Sequence, residues 1–258
     1  MMGLAVHRCG IGPASGGGLL LADMVAHWDL SEASGTRSDS HGGLNLTSVN
    51  SVGSGPGVDG VSTAAEFVHG SNQYLTTADA PGLRIDDAHW VMNLWIRRTS
   101  ASANFIRFGG KGLVPTASGG EMGFGYPNNA AGNAQQEYFD VRNAANSGRA
   151  VVSSTAFTNA NTWYMLTLAH DPDANLIRYY INGAAAGTAA LTGGAYGTTG
   201  ALYLGGSPVT TVAYVSCRMQ CVSIWKGAGA LAALSEMAWL YNSGAGARTY
   251  SDIAGYSP

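Results

Sequence analysis

Charge is what this chain has least of. Only 11% of its 258 residues are Asp, Glu, Lys or Arg, against about 25% in an average globular protein. A coiled coil or helical bundle needs charged exposed faces, and a disordered chain kept open by self-repulsion needs more charge still. Both are excluded. Thirteen basic residues stand against sixteen acidic ones, and no basic cluster is larger than Arg97-Arg98. Duplex binding needs several phosphate-neutralising cations, so nucleic acid is not an expected partner. Long apolar runs are missing as well. Runs such as Leu19-Leu20-Leu21-Ala22 fall far short of the roughly 20 residues that span a bilayer, and membrane insertion is not expected. A secretory leader needs an unbroken apolar stretch after a basic start. Here the opening breaks at His7-Arg8-Cys9-Gly10, so the expectation is a protein made and kept in a cytoplasm until something releases it.

Cysteine is scarce and odd in number: Cys9, Cys217 and Cys221. That argues against a disulfide framework. Cys217 and Cys221 sit four apart in the strand-like run YVSCRMQCVSIW. Along a strand that is about 13 Å, too far for a disulfide, and the pair reads as two small core residues on one face.

Glycine is abundant: 37 residues, about twice average usage. Residues 1–22 hold six of them and no acid. They read as a Gly-rich N-terminal arm ahead of a domain over 23–258. From Asp23 onward, short apolar segments alternate with turn-formers such as Ser34-Gly35, Pro81-Gly82 and Asn182-Gly183. Strands are expected near 24–30, 43–48, 63–68, 73–77, 89–97, 104–109, 121–126, 137–142, 149–155, 162–170, 176–182, 201–205 and 213–225. This spacing predicts an antiparallel sandwich or barrel. Leu231, Leu234, Met237, Ala238 and Tyr241 recur at helical spacing before Asn242-Ser243-Gly244, which predicts one short C-terminal helix over about 231–241.

Six ordered blocks carry a family resemblance. The first strand, VAHWDLSEASGTRSDSHGGLNLT (25–47), places Trp28, Leu30, Glu32, Gly35, Thr36, Asp39 and Ser40 in a recognisable pattern. It is followed by AAEFVHGSNQYLTT (64–77), WVMNLWIRRTS (90–100), TWYMLTLAHDPDANLIRYYINGAAAGT (162–188), ALYLGG (201–206) and VSIWKGAGALAALSEMAWLYNSG (222–244). Together they resemble the laminin-G-like domains of the concanavalin A-like lectin/glucanase superfamily over about 23–250. The resemblance implies an all-β fold, an antiparallel jelly-roll β-sandwich with a concave and a convex sheet. Within it, Trp28, Trp95, Trp163 and Trp225 are expected between the stacked sheets. His69-Gly70-Ser71-Asn72 is expected to turn between two short strands, and Asn182-Gly183 to make a type I′ hairpin.

Glucanases of this superfamily carry paired acids on one strand. A retaining pair needs carboxyls about 5–5.5 Å apart, and no Glu-x-Asp-x-Glu or Glu-x-Asp-x-x-Glu occurs. Glu137 and Asp140 come nearest, but i,i+3 spacing puts them on opposite strand faces. Asp171-Pro172-Asp173-Ala174-Asn175 opens like a calcium loop, yet Leu176 and Asn182 occupy the positions that need Gly and Glu. Asp39, Asp59, Asp86 and Asp87 read as turn-capping acids. No cofactor is expected, with calcium left open at these loops. The histidines His7, His27, His41, His69, His89 and His170 are scattered without metal spacing, and Gly109-Gly110-Lys111-Gly112 lacks the hydroxyl of a phosphate loop. Tyr126, Trp90 and Tyr196 are candidates either for stacking on sugars or for packing.

The expected function is therefore non-enzymatic. The leading reading is a structural or adhesive virion protein of a bacteriophage: a capsid decoration, fibre or tail component assembled in the host cytoplasm. Leu4, Val6, Ile11, Leu19, Leu20 and Leu21 of the arm would anchor it to other virion proteins and to copies of itself in a homo-oligomer. The lectin-like sandwich would be displayed for carbohydrate binding to host-surface glycans. The alternative is an extracellular carbohydrate-binding module, secreted or on a cell surface.

Overall fold

The computed structural model describes residues 20–68, 70–99, 106–112, 120–126, 137–145, 149–154, 160–206 and 216–255. Among them fifteen strands form: β1 (Met24–Trp28), β2 (Thr47–Val49), β3 (Gly53–Pro56), β4 (Thr63–Phe67), β5 (Tyr74–Thr77), β6 (Trp90–Arg98), β7 (Ile106–Lys111), β8 (Met122–Tyr126), β9 (Glu137–Arg142), β10 (Arg149–Ser154), β11 (Trp163–Asp171), β12 (Leu176–Ile181), β13 (Ala184–Ala190), β14 (Leu202–Leu204) and β15 (Cys217–Lys226). They make two antiparallel sheets, as expected. The first runs β13-β12-β11-β6-β15-β4-β3, with β1 also paired to β15. The second runs β10-β9-β8-β7-β14-β5-β2.

Strand alternation sorts the side chains into two cores. In β6, Trp90, Met92, Leu94 and Ile96 point between the sheets, where they meet Leu166 and Leu168 of β11 and Phe124 and Phe139 of the second sheet. The intervening Val91 and Trp95 point outward, beside Met165 and Ala169 of β11. The central strands of the first sheet are therefore apolar on both faces, as a sheet covered on both sides must be. The outer cover is the C-terminal segment: α1 (Ala230–Ser235), α2 (Met237–Tyr241) and α3 (Tyr250–Ala254). Ala230, Ala233, Met237, Leu240 and Ile253 supply the second core from this side.

Several expectations change here. The single helix over 231–241 is two short ones broken at Glu236, and α3 follows where none was expected. Of the four tryptophans expected between the sheets, only Trp28 is there, joined by Trp90. Trp95 and Trp225 are buried in the second core, and Trp163 packs partly against it. Cys217 and Cys221 do not share a face. A β-bulge between Gln220 and Ser223, with Cys221 at φ +48°, inserts an extra residue. Cys217 then points into the inter-sheet core and Cys221 into the outer one. Burial raises the pKa of both thiols well above the usual range. The 70–72 turn does not close a hairpin, since β4 pairs in the first sheet and β5 in the second. Asn182 (φ +52°) and Gly183 (φ +79°) do form the expected tight turn, joining β12 to β13.

The arm divides. Leu4, Val6, Ile11 and Leu19 lie outside the described residues. Leu20 is fully buried in the second core, its carbonyl accepts a 2.6 Å hydrogen bond from Trp225 Nε1, and Leu21 packs beside it. Burial within this chain leaves Leu20 no surface to offer a partner, so the packed residues include Leu20 and Leu21 ahead of Asp23.

Candidate functional site

The first sheet's outer face lies under helices, which directs attention to the outer face of the second. One transverse row of that face is fixed by strand register: Thr47, Thr76, Tyr203, Gly110, Gly123, Asp140 and Val151, one residue per strand. The Leu202-Tyr203-Leu204 alternation seats both leucines in the core and turns Tyr203 outward. Tyr74 is its diagonal neighbour, and the two rings meet edge-to-face with centroids 5.7 Å apart. Both are half-buried. Partial burial raises the pKa of the Tyr203 phenol, with a further push from Tyr74. Thr76 Oγ1 donates to the Leu202 carbonyl at 2.9 Å and fixes the strand beneath the rings.

Beside the tyrosines the row passes over two glycines. A Cβ on Gly123 would stand 2.9 Å from both Arg107 Nη1 and Asp140 Oδ1, so a residue without a side chain is needed for these two groups to approach over β8. Arg107 is half-buried, whereas Tyr138, Asp140 and Arg142 on β9 are buried. The face thus combines a half-buried aromatic pair, two buried strand glycines and a set of largely buried charged and hydrogen-bonding groups.

Among the described residues, Asp140 is the one carboxylate on an outward register position of the second sheet's strands. Glu137 falls on the opposite register. A glycosidase needs two carboxyls flanking the scissile bond.

A Ser-His-Asp arrangement does occur on the first sheet. His27 Nδ1 lies 2.7 Å from Ser223 Oγ, and His27 Nε2 lies 2.9 Å from Asp29 Oδ1. His27 is 0% exposed and Ser223 2%. A nucleophile must meet substrate, and this one is enclosed below α3, where Tyr250 N donates to the same Asp29 oxygen at 3.2 Å. The group is the end of a buried polar row, Thr167–Asn93–Ser223–His27, that crosses four strands under the helices.

Of the four loop acids, Asp39 and Asp59 cap turns as expected, whereas Asp86 and Asp87 bond to other segments. Asp39 accepts from the backbone N–H groups of His27, His41, Gly42 and Leu44, and Asp59 from those of Val61 and Ser62. Asp86 pairs with Lys226 at 2.9 Å, and Asp87 accepts from Ala195 N. Asp171 lies at the turn into β12, where it pairs with Arg178 at 2.6 Å. With Asp173 and His89 it brings three ligand-type atoms within 4.8 Å of one another, among the described residues the one place where the calcium expectation meets a cluster. Lys111 is fully buried rather than part of a phosphate loop.

Of the expected stacking residues, Trp90 is in the core, the Tyr126 side chain lies outside the described ones, and Tyr196 is half-buried in a loop. Tyr74, Tyr203 and Arg107 were not singled out by sequence. The signal was available for the tyrosines, because each alternates with a leucine that the core requires.

The concanavalin A-like lectin/glucanases superfamily matches the chain over residues 69–233, more than half its length. Among curated proteins none matches. Solved structures do. The binding domain of paraclostridial mosquitocidal protein 1 superposes with a TM-score of 0.67 at 12% identity, over 87% of this chain and 53% of that one. The receptor-binding domain of botulinum neurotoxin D gives 0.59 at 9% identity, over 87% and 53%. The botulinum neurotoxin serotype D ligand-binding domain, in complex with N-acetylneuraminic acid, gives 0.62 at 9%, over 87% and 52%. The chain spans about half the length of these structures, and at such identities the likeness is one of fold.

Proposed function

Because the chain belongs to the concanavalin A-like lectin/glucanases superfamily, we propose that it is a non-catalytic glycan-binding module that uses the outer face of its second sheet. The observation that carries this is the half-exposed Tyr74–Tyr203 pair, its rings meeting edge-to-face on the outward side of their strands. Aromatic faces stack on the apolar faces of sugar rings, while convergent polar groups fix orientation. The single outward carboxylate supports binding without hydrolysis. The complex of a fold-relative with N-acetylneuraminic acid is consistent with a sandwich of this build serving saccharides.

We place this module on a virion, as a fibre, tail or capsid-decoration component, with the residues ahead of Leu20 as the attachment. What supports the attachment is the composition of that segment: glycine, apolar side chains and no acid. The test has two arms. On a glycan array the chain binds at least one saccharide, and Tyr203→Ala removes the signal while the circular dichroism spectrum is unchanged. Deleting residues 1–19 leaves glycan binding intact but prevents incorporation into particles. An array with no binding to any saccharide rejects the lectin reading, and full incorporation without the segment rejects the attachment.

A further inference from the structure

We propose that His27, Asp29 and Cys221 bind one divalent cation of the zinc class, an ion that takes imidazole, carboxylate and thiolate together. The residues come from the end of β1 and from the bulge of β15, yet their ligand atoms all fall within 4.8 Å of one another. His27 Nε2 stands 2.9 Å from Asp29 Oδ1, and Cys221 Sγ stands 3.9 Å from the same oxygen. Around a tetrahedral zinc, bonds of about 2.0–2.3 Å put nitrogen and oxygen about 3.4 Å apart, and sulfur and oxygen about 3.6 Å. Side-chain shifts of about 0.5 Å convert the observed triangle into that one.

The fold prepares this triangle. His27 and Asp29 are two residues apart and share a face. Opposite them, Cys221 has φ +48° in the middle of β15. Positive φ is uncommon for a residue with a side chain, and such outliers cluster at functional sites. Cys221 N donates to the Asp29 carbonyl at 3.2 Å, which ties the two backbones together. His27 Nδ1 lies 2.7 Å from Ser223 Oγ. Donating there, it leaves the Nε2 lone pair for a metal, and the serine acts as the outer partner that orients a ligating imidazole. His27 and Cys221 are buried, whereas the Asp29 side chain is 30% exposed. An ion therefore enters on the Asp29 side, where solvent completes four-coordination. Calcium and magnesium require oxygen ligands, so this donor set selects against them. Burial, with the Asp29 charge, raises the Cys221 pKa. A bound cation reverses that balance: the thiol gives its proton to solvent and binds as thiolate. The ion joins β1 to β15 beneath α3, whose Tyr250 N–H meets the same Asp29 oxygen, so binding stabilises the fold.

The experiment strips the full, untagged chain with EDTA and titrates it with cobalt(II), zinc and calcium chlorides. A single cobalt(II) should bind with a near-ultraviolet thiolate charge-transfer band and the visible bands of a tetrahedral site, and zinc should displace it. Zinc should raise the melting temperature, and calcium should not. Cys221→Ser should abolish the charge-transfer band, whereas Cys9→Ser and Cys217→Ser keep it. Asp29→Asn, at the part-exposed ligand, and Ser223→Ala, at the positioning residue, should each weaken cobalt binding at least about tenfold. Melting curves in EDTA establish that each variant is folded. If Cys221→Ser does not fold, Asp29→Asn decides, and unaltered affinity in that variant overturns the site. Absence of a thiolate band in the parent, a band that survives Cys221→Ser, or stabilisation by calcium equal to that by zinc overturns it as well. None of these outcomes bears on glycan binding.

Discussion

At the scale of single residues, the most consequential group is Lys111. It is fully buried at one end of the sandwich, with Nζ 2.7 Å from Asp79 Oδ1 and 3.2 Å from Glu121 Oε2, and it donates to the carbonyls of Thr198 and Gly200. Glu121, also fully buried, accepts from the N–H groups of Ile85 and Thr198. The pair therefore ties the 79–85 loop to the 196–200 loop. Removing one partner of a buried pair costs about 3–5 kcal/mol, and Lys111→Met should lose that much in urea unfolding at pH 7. Burial holds the Glu121 pKa above its ordinary value, against the pull of Lys111. A carboxylate raised in the folded state contributes stability below its unfolded value and loses it as pH rises through the folded one. Without the lysine that rise is larger, so the deficit of Lys111→Met should narrow as pH falls from 7 to 5. A deficit independent of pH would show that Glu121 is not the group left uncompensated.

At the scale of elements, the β12–β13 hairpin was legible because Asn182-Gly183 demands positive φ. Gly183→Ala should cost about 1–2 kcal/mol, the penalty of a Cβ in the left-handed region, and calorimetric melting would register it. A variant melting like the parent would place Gly183 in another conformation. Long strands such as β6 and β11 were legible as largely apolar runs of nine residues, buried on both faces. β3 (GSGP) and β13 (AAAGTAA) were not, since glycine and alanine carry no face-defining pattern. The bulge at Cys221 was also invisible. One extra residue reverses every side chain after it, and nothing in YVSCRMQC marks the insertion. That is why the two cysteines were expected on one face. Tertiary pairing likewise sent β4 and β5 to different sheets although only a turn separates them. The site followed the same division. Its tyrosines could be read from alternation with leucine, but its row required the order of seven strands.

At the scale of the whole molecule, the two cores give the sandwich a polarity. Helices and the segment from Leu20 cover the outer face of one sheet, and the proposed binding uses the half-exposed tyrosines of the other. This arrangement separates stability from binding. Leu20 is fully enclosed among Trp225 and its neighbours, and Leu20→Ala should cost about 2–5 kcal/mol through lost burial and the cavity left behind. Truncation after Lys226 removes α1–α3 and uncovers Val91, Trp95, Met165 and Trp225 together, an apolar patch that a soluble chain does not tolerate. That product is expected to bind ANS and aggregate. Neither change touches the Tyr74–Tyr203 face on the far side of the inter-sheet core. Below its lowered melting temperature, Leu20→Ala should therefore keep the parental affinity for whichever glycan the array identifies, whereas Tyr203→Ala should melt near the parent and lose that affinity. Loss of affinity in folded Leu20→Ala would mean that the two faces are coupled through the sandwich, and that covering the first sheet sets the shape of the second.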